Sequence, residues 1–442
     1  MNHFEFRHGE LWCENVRLAE ITEAVGTPVY VYSTATLERH YRVFRDALKA
    51  HASLGAPIVA YAVKASGNVS ILATLARLGA AADTVSEGEI RRALAAGVDP
   101  KGIIFSGVGK TAAEIAFALE IGVGWINVES EPELELVEDI GGGSGSRPSV
   151  AIRVNPDIEA GVHSKISTGG SMSKFGVALA EVPRLYARAT ASPHLDLKGL
   201  ACHIGSQITD LLPLKATYSA MRGLVETLRG QGLAVDSLDL GGGLGAPYFL
   251  QPDPPTPEDL AAMAAETVGA LGLQLIFEPG RAIAANAGVL VSKVLRVIVR
   301  PDGRRFVVLD AGMNDLLRPA MYDAFHDIRP VAPRLGAKLA HDVVGPVCET
   351  GDTFTRDRRL EPLEAGDLVA FMTAGAYGAA MASEYNSRPL VPEVLVRNDL
   401  FAVVRARPSH QEMLAKERTA PWLNPQLESG ELSSKRSSRS TA

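Results

Sequence analysis

Lys64 ends the run "IVAYAVKAS", in which largely apolar residues lead into a single amine. Taken alone, such a lysine reads as the end of a buried strand whose amine reaches out into water. It has company. Other short apolar or β-branched runs finish in Asp83 and Ser86, in Ser106, in Glu129, in Asn155, and in His203 and Ser206. Two more finish in the glycines of "DLGGGLG" (Gly241, Gly242, Gly243) and in the Glu278, Gly280 and Arg281 of "EPGR". One polar residue after a strand is usually a turn or a helix cap. An amine, several carboxylates, an imidazole and a guanidinium at successive strand ends are the groups of acid–base and amine chemistry. The glycines add backbone N–H groups with no side chain to block an anion.

For these groups to act together, the elements carrying them must deliver strand ends to one place. The runs "IVAYAVK", "AADTVS", "IIFSG", "WINVES", "VAIRVNP", "LKGLACHIGS", "LDLGGG" and "LIFEPGR" alternate with stretches such as "SILATLARLG" and "EGEIRRALAAG". The latter carry apolar residues at three- and four-residue steps, the helical period. Continuous apolar strands separated by helices are parallel strands buried on both faces. Eight such units predict an α/β fold, a (β/α)8 barrel over residues 36–281, with all strand ends on one face. Such barrels often hold a phosphate in the loops after strands seven and eight, where the glycines and "EPGR" fall. A phosphate site across the mouth from a lysine suggests pyridoxal phosphate, with Lys64 as its Schiff-base partner. Insertions around Val162–Gly176 and Pro247–Glu258 are expected to loop over the mouth.

After residue 282 the pattern changes to strand-like runs with turns, such as "AGVLVSKVLRVIV" and "GDLVAFMTAGAY". We expect a second, all-β domain over 282–422, joined by residues 1–35, whose "TPVYVYS" supplies a strand. Residues 423–442 are Ser- and charge-rich and read as a disordered tail. In the β region "RPAMYDAFH" spaces Arg318 and Tyr322 four apart, "CETGD" pairs Cys348 with Glu349, and "TAGAYG" sets Tyr377 among small residues. Of 442 residues 46% are hydrophobic and 21% charged, the profile of a globular protein with a sizeable core. A net charge of −7 without a basic block argues against a nucleic-acid partner. No apolar run reaches membrane-span length. The start "MNHFEFRHGE" is too polar for a signal peptide. Three scattered cysteines form neither a CxxC nor a zinc spacing, so no metal and a reduced, cytoplasmic setting are expected.

"YAVKAS", "HIGSQ", "GGGLG", "EPGR", "RPAMYDAFH", "CETGD" and "AGAYG", in this order, resemble the fold-type III pyridoxal-phosphate decarboxylases. The similarity runs from about Gly26 to Trp422. The insertion "GVHSKISTGGSMSKFG" and the RPAxY…H segment look most like the diaminopimelate branch, which forms L-lysine and CO2 from meso-diaminopimelate. The resemblance implies that Lys64 carries the cofactor and that His203 stacks on its ring. It implies that Ser206, Gly242, Gly243, Gly280, Arg281 and Tyr377 surround the phosphate, and that Glu278 faces the pyridine nitrogen. Asp83 and Asn155 would support the cofactor from behind. Arg281, Arg318, Tyr322, Glu349 and Tyr377 would bind the small-molecule amino-acid substrate, with Arg forks suited to its far carboxylate. Cys348, a candidate proton donor, and Glu349 would enter the partner's site in a homodimer. Thr350 stands where serine is usual in "CETGD", and both carry a hydroxyl.

Rival readings share the fold. Ornithine, arginine and carboxynorspermidine lack the second amino-acid head of diaminopimelate, and Arg318, Glu349 and "HSKISTGG" argue against them. A racemase wants a phenol where "CETGD" supplies a thiol. A non-catalytic binding homologue would normally have lost Lys64 or Cys348.

Overall fold

The computed structural model describes residues 2–170, 172–249 and 252–423. The expected tail therefore lies, apart from Leu423, outside the described residues. Eight parallel strands close into a barrel: β1 (Ile58–Ala62), β2 (Ala81–Thr84), β3 (Ile103–Phe105), β4 (Trp125–Val128), β5 (Ser149–Asn155), β6 (Asp196–Cys202), β7 (Ser237–Asp239) and β8 (Gln274–Phe277). β8 returns to β1 through Ile276 beside Ile58 and Phe277 beside Val59. The expected α/β barrel with a β-rich second domain is what the chain forms. Strands buried on both faces need apolar residues at nearly every position, which is why each run reads as continuous.

The register fixes the chemistry. Ala62 lies beside Asp83, so Lys64, two residues on, leaves β1 next to the end of β2. Asp239 lies beside Ala201 on one side and Ile276 on the other, placing it between the ends of β6 and β8. Crossover helices carry their own caps. Ser86 accepts from the Glu89 N–H and Ser130 from the Glu133 N–H, each starting a helix. At Ser86 the bland reading is the right one.

In the second domain, the strand Val29–Ser33 lies between Gly288–Val299 and Glu393–Arg397. Its period-two alternation serves two cores. Val29 and Val31 pack into a cluster with Leu11, Ile21, Val289 and Val394, while Tyr30 and Tyr32 join the barrel's own core. The buried Tyr30 hydroxyl donates to the Asp315 carbonyl at 2.6 Å, and Tyr32 to Glu393 at 2.7 Å. A segment of this domain also reaches the barrel mouth. Tyr377 N–H donates to the Ala65 carbonyl at 2.7 Å, one residue beyond Lys64. Gly375 makes that approach possible, since a Cβ there would lie 2.1 Å from the Ala284 carbonyl oxygen. Among the described residues no helix is long and apolar enough to cross a membrane.

Candidate active site

A cavity of about 340 Å³ opens at the C-terminal ends of the barrel strands. Of the residues expected there from sequence, it is lined by Lys64, His203, Ser206, Glu278, Arg281, Arg318, Tyr322 and Tyr377. A second chamber of about 190 Å³ shares Arg281, Arg318, Tyr322 and Ile166 with the first. The guanidinium pair is thus reached from both.

Lys64 Nζ donates to Asp83 Oδ2 at 2.7 Å, with Asp83 fully buried behind it and Lys64 about a third exposed to the cavity. Burial alone would lower the Lys64 amine, but Asp83 and then Glu278 more than offset this and hold it above its ordinary range. His203 is kept neutral: burial first, then Lys64 and Arg153, push its imidazole well down. Its Nδ1 accepts from the Gly242 N–H at 3.1 Å, which leaves the proton on Nε2 and fixes the ring's orientation. Arg281 donates from Nε to Ser206 Oγ at 3.1 Å, and its guanidinium stands 4.8 Å from the Tyr377 ring centre. Tyr377 holds a left-handed backbone at φ 57°, which is unusual for so bulky a residue.

Asp239 and Glu278 meet on the barrel floor. Asp239 accepts from Asn127 Nδ2 at 3.0 Å and from the Gly241 N–H at 2.9 Å. Burial pushes Asp239 up to about 6, against the lowering effect of its hydrogen bond with Glu278. Burial, then Asp239 and Asp83, hold Glu278 well above the ordinary carboxylate range. The two carboxyl groups face each other and titrate as one system that binds a proton more readily than either would alone in water. Because the Asp239 acid is raised from an ordinary value of 3.8, the folded state binds more protons than the unfolded one between about 4 and 6. Stability from this pair is therefore lost as pH rises through that window. Relative to wild type, ligand-free Asp239→Asn is expected to gain melting temperature as pH climbs from about 4 to 6. A difference that stays flat across the window contradicts the shared proton.

The residues present fit pyridoxal phosphate. Glu278 Oε1 is buried with no hydrogen-bond partner, an acceptor left open for a ring N–H. A neutral, fixed imidazole and a charged amine share the cavity with it. The glycines contribute differently from expectation. The Gly241 and Gly242 N–H groups are spent on Asp239 and His203. A Cβ at Gly242 would lie 2.2 Å from the Glu278 carbonyl oxygen, so this glycine is needed for backbone packing.

Some expected residues lie outside the cavity. Gly243 turns the chain at φ 115°, and Gly280 leads into the short helix Arg281–Ala284. Asn155 braces the 161–176 loop instead, donating to the Gly170 and Phe175 carbonyls at 3.1 and 3.0 Å. Cys348 and Glu349 sit on an exposed loop, where the Cys348 N–H donates to Asn386 and Glu349 accepts from the Tyr385 hydroxyl. Other lining residues were missed, among them Asn127, Arg153 and Asp239. Their signal was available: each is a polar residue inside an otherwise apolar strand run, and such a residue is seldom buried without a task. Arg153 pairs with Glu129 at 2.8 Å and lies over Phe175 of the loop.

Comparison with known proteins identifies the family. A family model described as "Pyridoxal-dependent decarboxylase, pyridoxal binding domain" matches residues 34–285. The diaminopimelate decarboxylase of Zymomonas mobilis is 47% identical over 421 residues, covering 95% of this chain and 99% of that one. The Pseudomonas aeruginosa enzyme is 46% identical over 422 residues, covering 95% and 100%. Among solved structures, diaminopimelate decarboxylase from M. jannaschii in complex with L-lysine has a TM-score of 0.91 at 35% identity, covering 96% of this chain and all of that one. The Helicobacter pylori enzyme complexed with L-lysine has a TM-score of 0.86 at 39% identity, covering 90% and 98%. With the amine, the carboxylate pair and the two arginines already placed in one barrel mouth, the chain belongs to the diaminopimelate decarboxylases, within the pyridoxal-dependent decarboxylases.

Proposed function

We propose that this protein decarboxylates meso-2,6-diaminopimelate to L-lysine and CO2, the last step of lysine biosynthesis, using pyridoxal phosphate in a cytoplasmic homodimer. The observation that carries the reading is the convergence of Arg281, Arg318 and Tyr322 on the cavity that also holds Lys64 and Glu278. A substrate with a second carboxylate, far from the reacting one, is what such a guanidinium pair suits. Domain limits of 36–281 for the barrel, and of 1–35 with 282–422 for the β domain, go with it.

Pyridoxal phosphate, when bound, supplies the sink for the electron pair released with CO2. Lys64 would hold it through Nζ, with Asp83 fixing that nitrogen. Glu278 would accept from the ring nitrogen through its open Oε1, and His203 would lie flat against the ring. Ser206, Gly243, Gly280, Arg281 and Tyr377 would enclose the phosphate. Arg281, Arg318 and Tyr322 would orient the distal carboxylate. Glu349 of the partner subunit would pair with the distal ammonium, and the Sγ of Cys348 of the partner subunit would deliver a proton to the carbon that lost CO2.

The test is CO2 release from diaminopimelate, ornithine, arginine and carboxynorspermidine, each mixed separately with the purified holoenzyme. Release from diaminopimelate alone, with L-lysine appearing, is the expected result. Release from one of the others instead overturns the roles given to Arg318 and Glu349.

A further inference from the structure

Two guanidiniums side by side repel each other, and something must hold them together. Tyr248 does this in the structure. Its phenol oxygen accepts from Arg281 Nη1 at 2.9 Å and from Arg318 Nη1 at 3.0 Å, and the residue is 5% exposed. The Arg318 guanidinium also stands 5.2 Å from the centre of the Tyr248 ring. Burial works to raise the phenol, but Arg281 and Arg318 together outweigh it and bring its ionisation below the ordinary tyrosine range. A second acceptor sits behind. His326 Nδ1 pairs with the Met372 carbonyl oxygen at 3.0 Å, which requires the proton on Nδ1. Nε2 is therefore free to accept from Arg318 Nη1 at 2.9 Å. Burial, with Arg318 beside it, pushes His326 down to about 3, so it stays neutral and remains an acceptor.

The chain places Tyr248 with care. The Gln207 side chain, at the end of "HIGSQ", grips the Ala246 backbone through both amide atoms, at 2.9 and 3.1 Å. Gly245 N–H donates to the Ile208 carbonyl at 3.0 Å, and Ile208 N–H to that of Gly243 at 2.9 Å. The loops after β6 and β7 are thus zipped together, and Tyr248 is carried at the end of the zip. With Nη1 of both arginines tied back, Arg318 Nε remains buried without a partner, a donor kept for something else.

We infer that Tyr248, backed by His326, is a positioning residue that sets the spacing of Arg281 and Arg318 and thereby the enzyme's selectivity for a substrate with a distal carboxylate. The inference rests on the function proposed above. Tyr248→Phe keeps the ring and removes only the shared acceptor.

The test uses two competitive inhibitors of diaminopimelate decarboxylation by the holoenzyme. L-lysine carries the distal carboxylate, and 1,5-diaminopentane is the same chain without it. In the wild type L-lysine is expected to bind more tightly. In Tyr248→Phe its inhibition constant is expected to rise about tenfold, equivalent to roughly 1.4 kcal/mol, with that of diaminopentane changing less than about twofold. Unchanged discrimination in the variant, or equal weakening of both ligands, overturns the inference. A wild type that does not discriminate at all overturns the functional reading beneath it instead. If Tyr248→Phe fails to fold, His326→Leu removes the other acceptor of Arg318 and reads the same ratio, while His326→Gln, which keeps an acceptor, is expected to retain it.

Discussion

Lys64→Ala is expected to lower the rate of CO2 release from diaminopimelate by on the order of 10³-fold or more, about 4 kcal/mol of transition-state stabilisation. The same protein is expected to lack the absorbance of lysine-bound pyridoxal phosphate. The reason is local: among the described residues no other lysine lines the cavity, so none of them offers a second amine to take over. The change also strands Asp83, which is fully buried, already has one oxygen without a partner, and loses its 2.7 Å ion pair. Lys64 is about a third exposed, so screening by solvent limits that loss to roughly 1 kcal/mol. Lys64→Arg separates the two effects. Arginine keeps a cation for Asp83 but cannot condense with an aldehyde at neutral pH. Its melting temperature is expected to match wild type while its activity matches Lys64→Ala. Full activity and normal absorbance in either variant sink the cofactor assignment.

The barrel was legible because strands buried on both faces leave an unbroken apolar signature, and each run ended where a site could stand. Lys64, His203, Glu278 and Arg281 were found for that reason. Asn127, Arg153 and Asp239 were not, because they lie within or just inside the strand runs, where pattern reading looks for core. The glycines were read as an anion nest because a sequence shows how many N–H groups a loop offers but not which are already used. Asp239 and His203 use two of them. Tyr248 lies on an insertion and owes its place to Gln207 and the backbone of a neighbouring loop, a contact between segments far apart in the chain. His326 was visible within "RPAMYDAFH", but its task depends on which ring nitrogen meets the Met372 carbonyl, and no sequence pattern reports a tautomer.

Cys348 and Glu349 set the sharper test of assembly. Within one chain both are exposed, and neither lines the cavity that holds Lys64. The Glu349 carboxylate accepts from the Tyr385 hydroxyl at 3.1 Å. At the cavity rim Val85 is 38% exposed, and Val108, next to the lining Gly107, 39%. If the "CETGD" loop serves the partner's cavity, each active site takes its lysine from one chain and its thiol from the other. Pure Lys64→Ala and pure Cys348→Ala dimers are then both nearly inactive, because every site lacks one group. Mixing them under conditions that allow subunit exchange makes heterodimers in which one site has lost both groups and the other has lost neither. A random mixture is about half heterodimer, so about a quarter of wild-type activity is expected to return. An additive mixture, with no recovery after exchange is demonstrated by mass, means that the thiol and the lysine act from the same chain. Because two inactive proteins cannot regain turnover through better folding or purity, recovery would require the two side chains to meet across an interface.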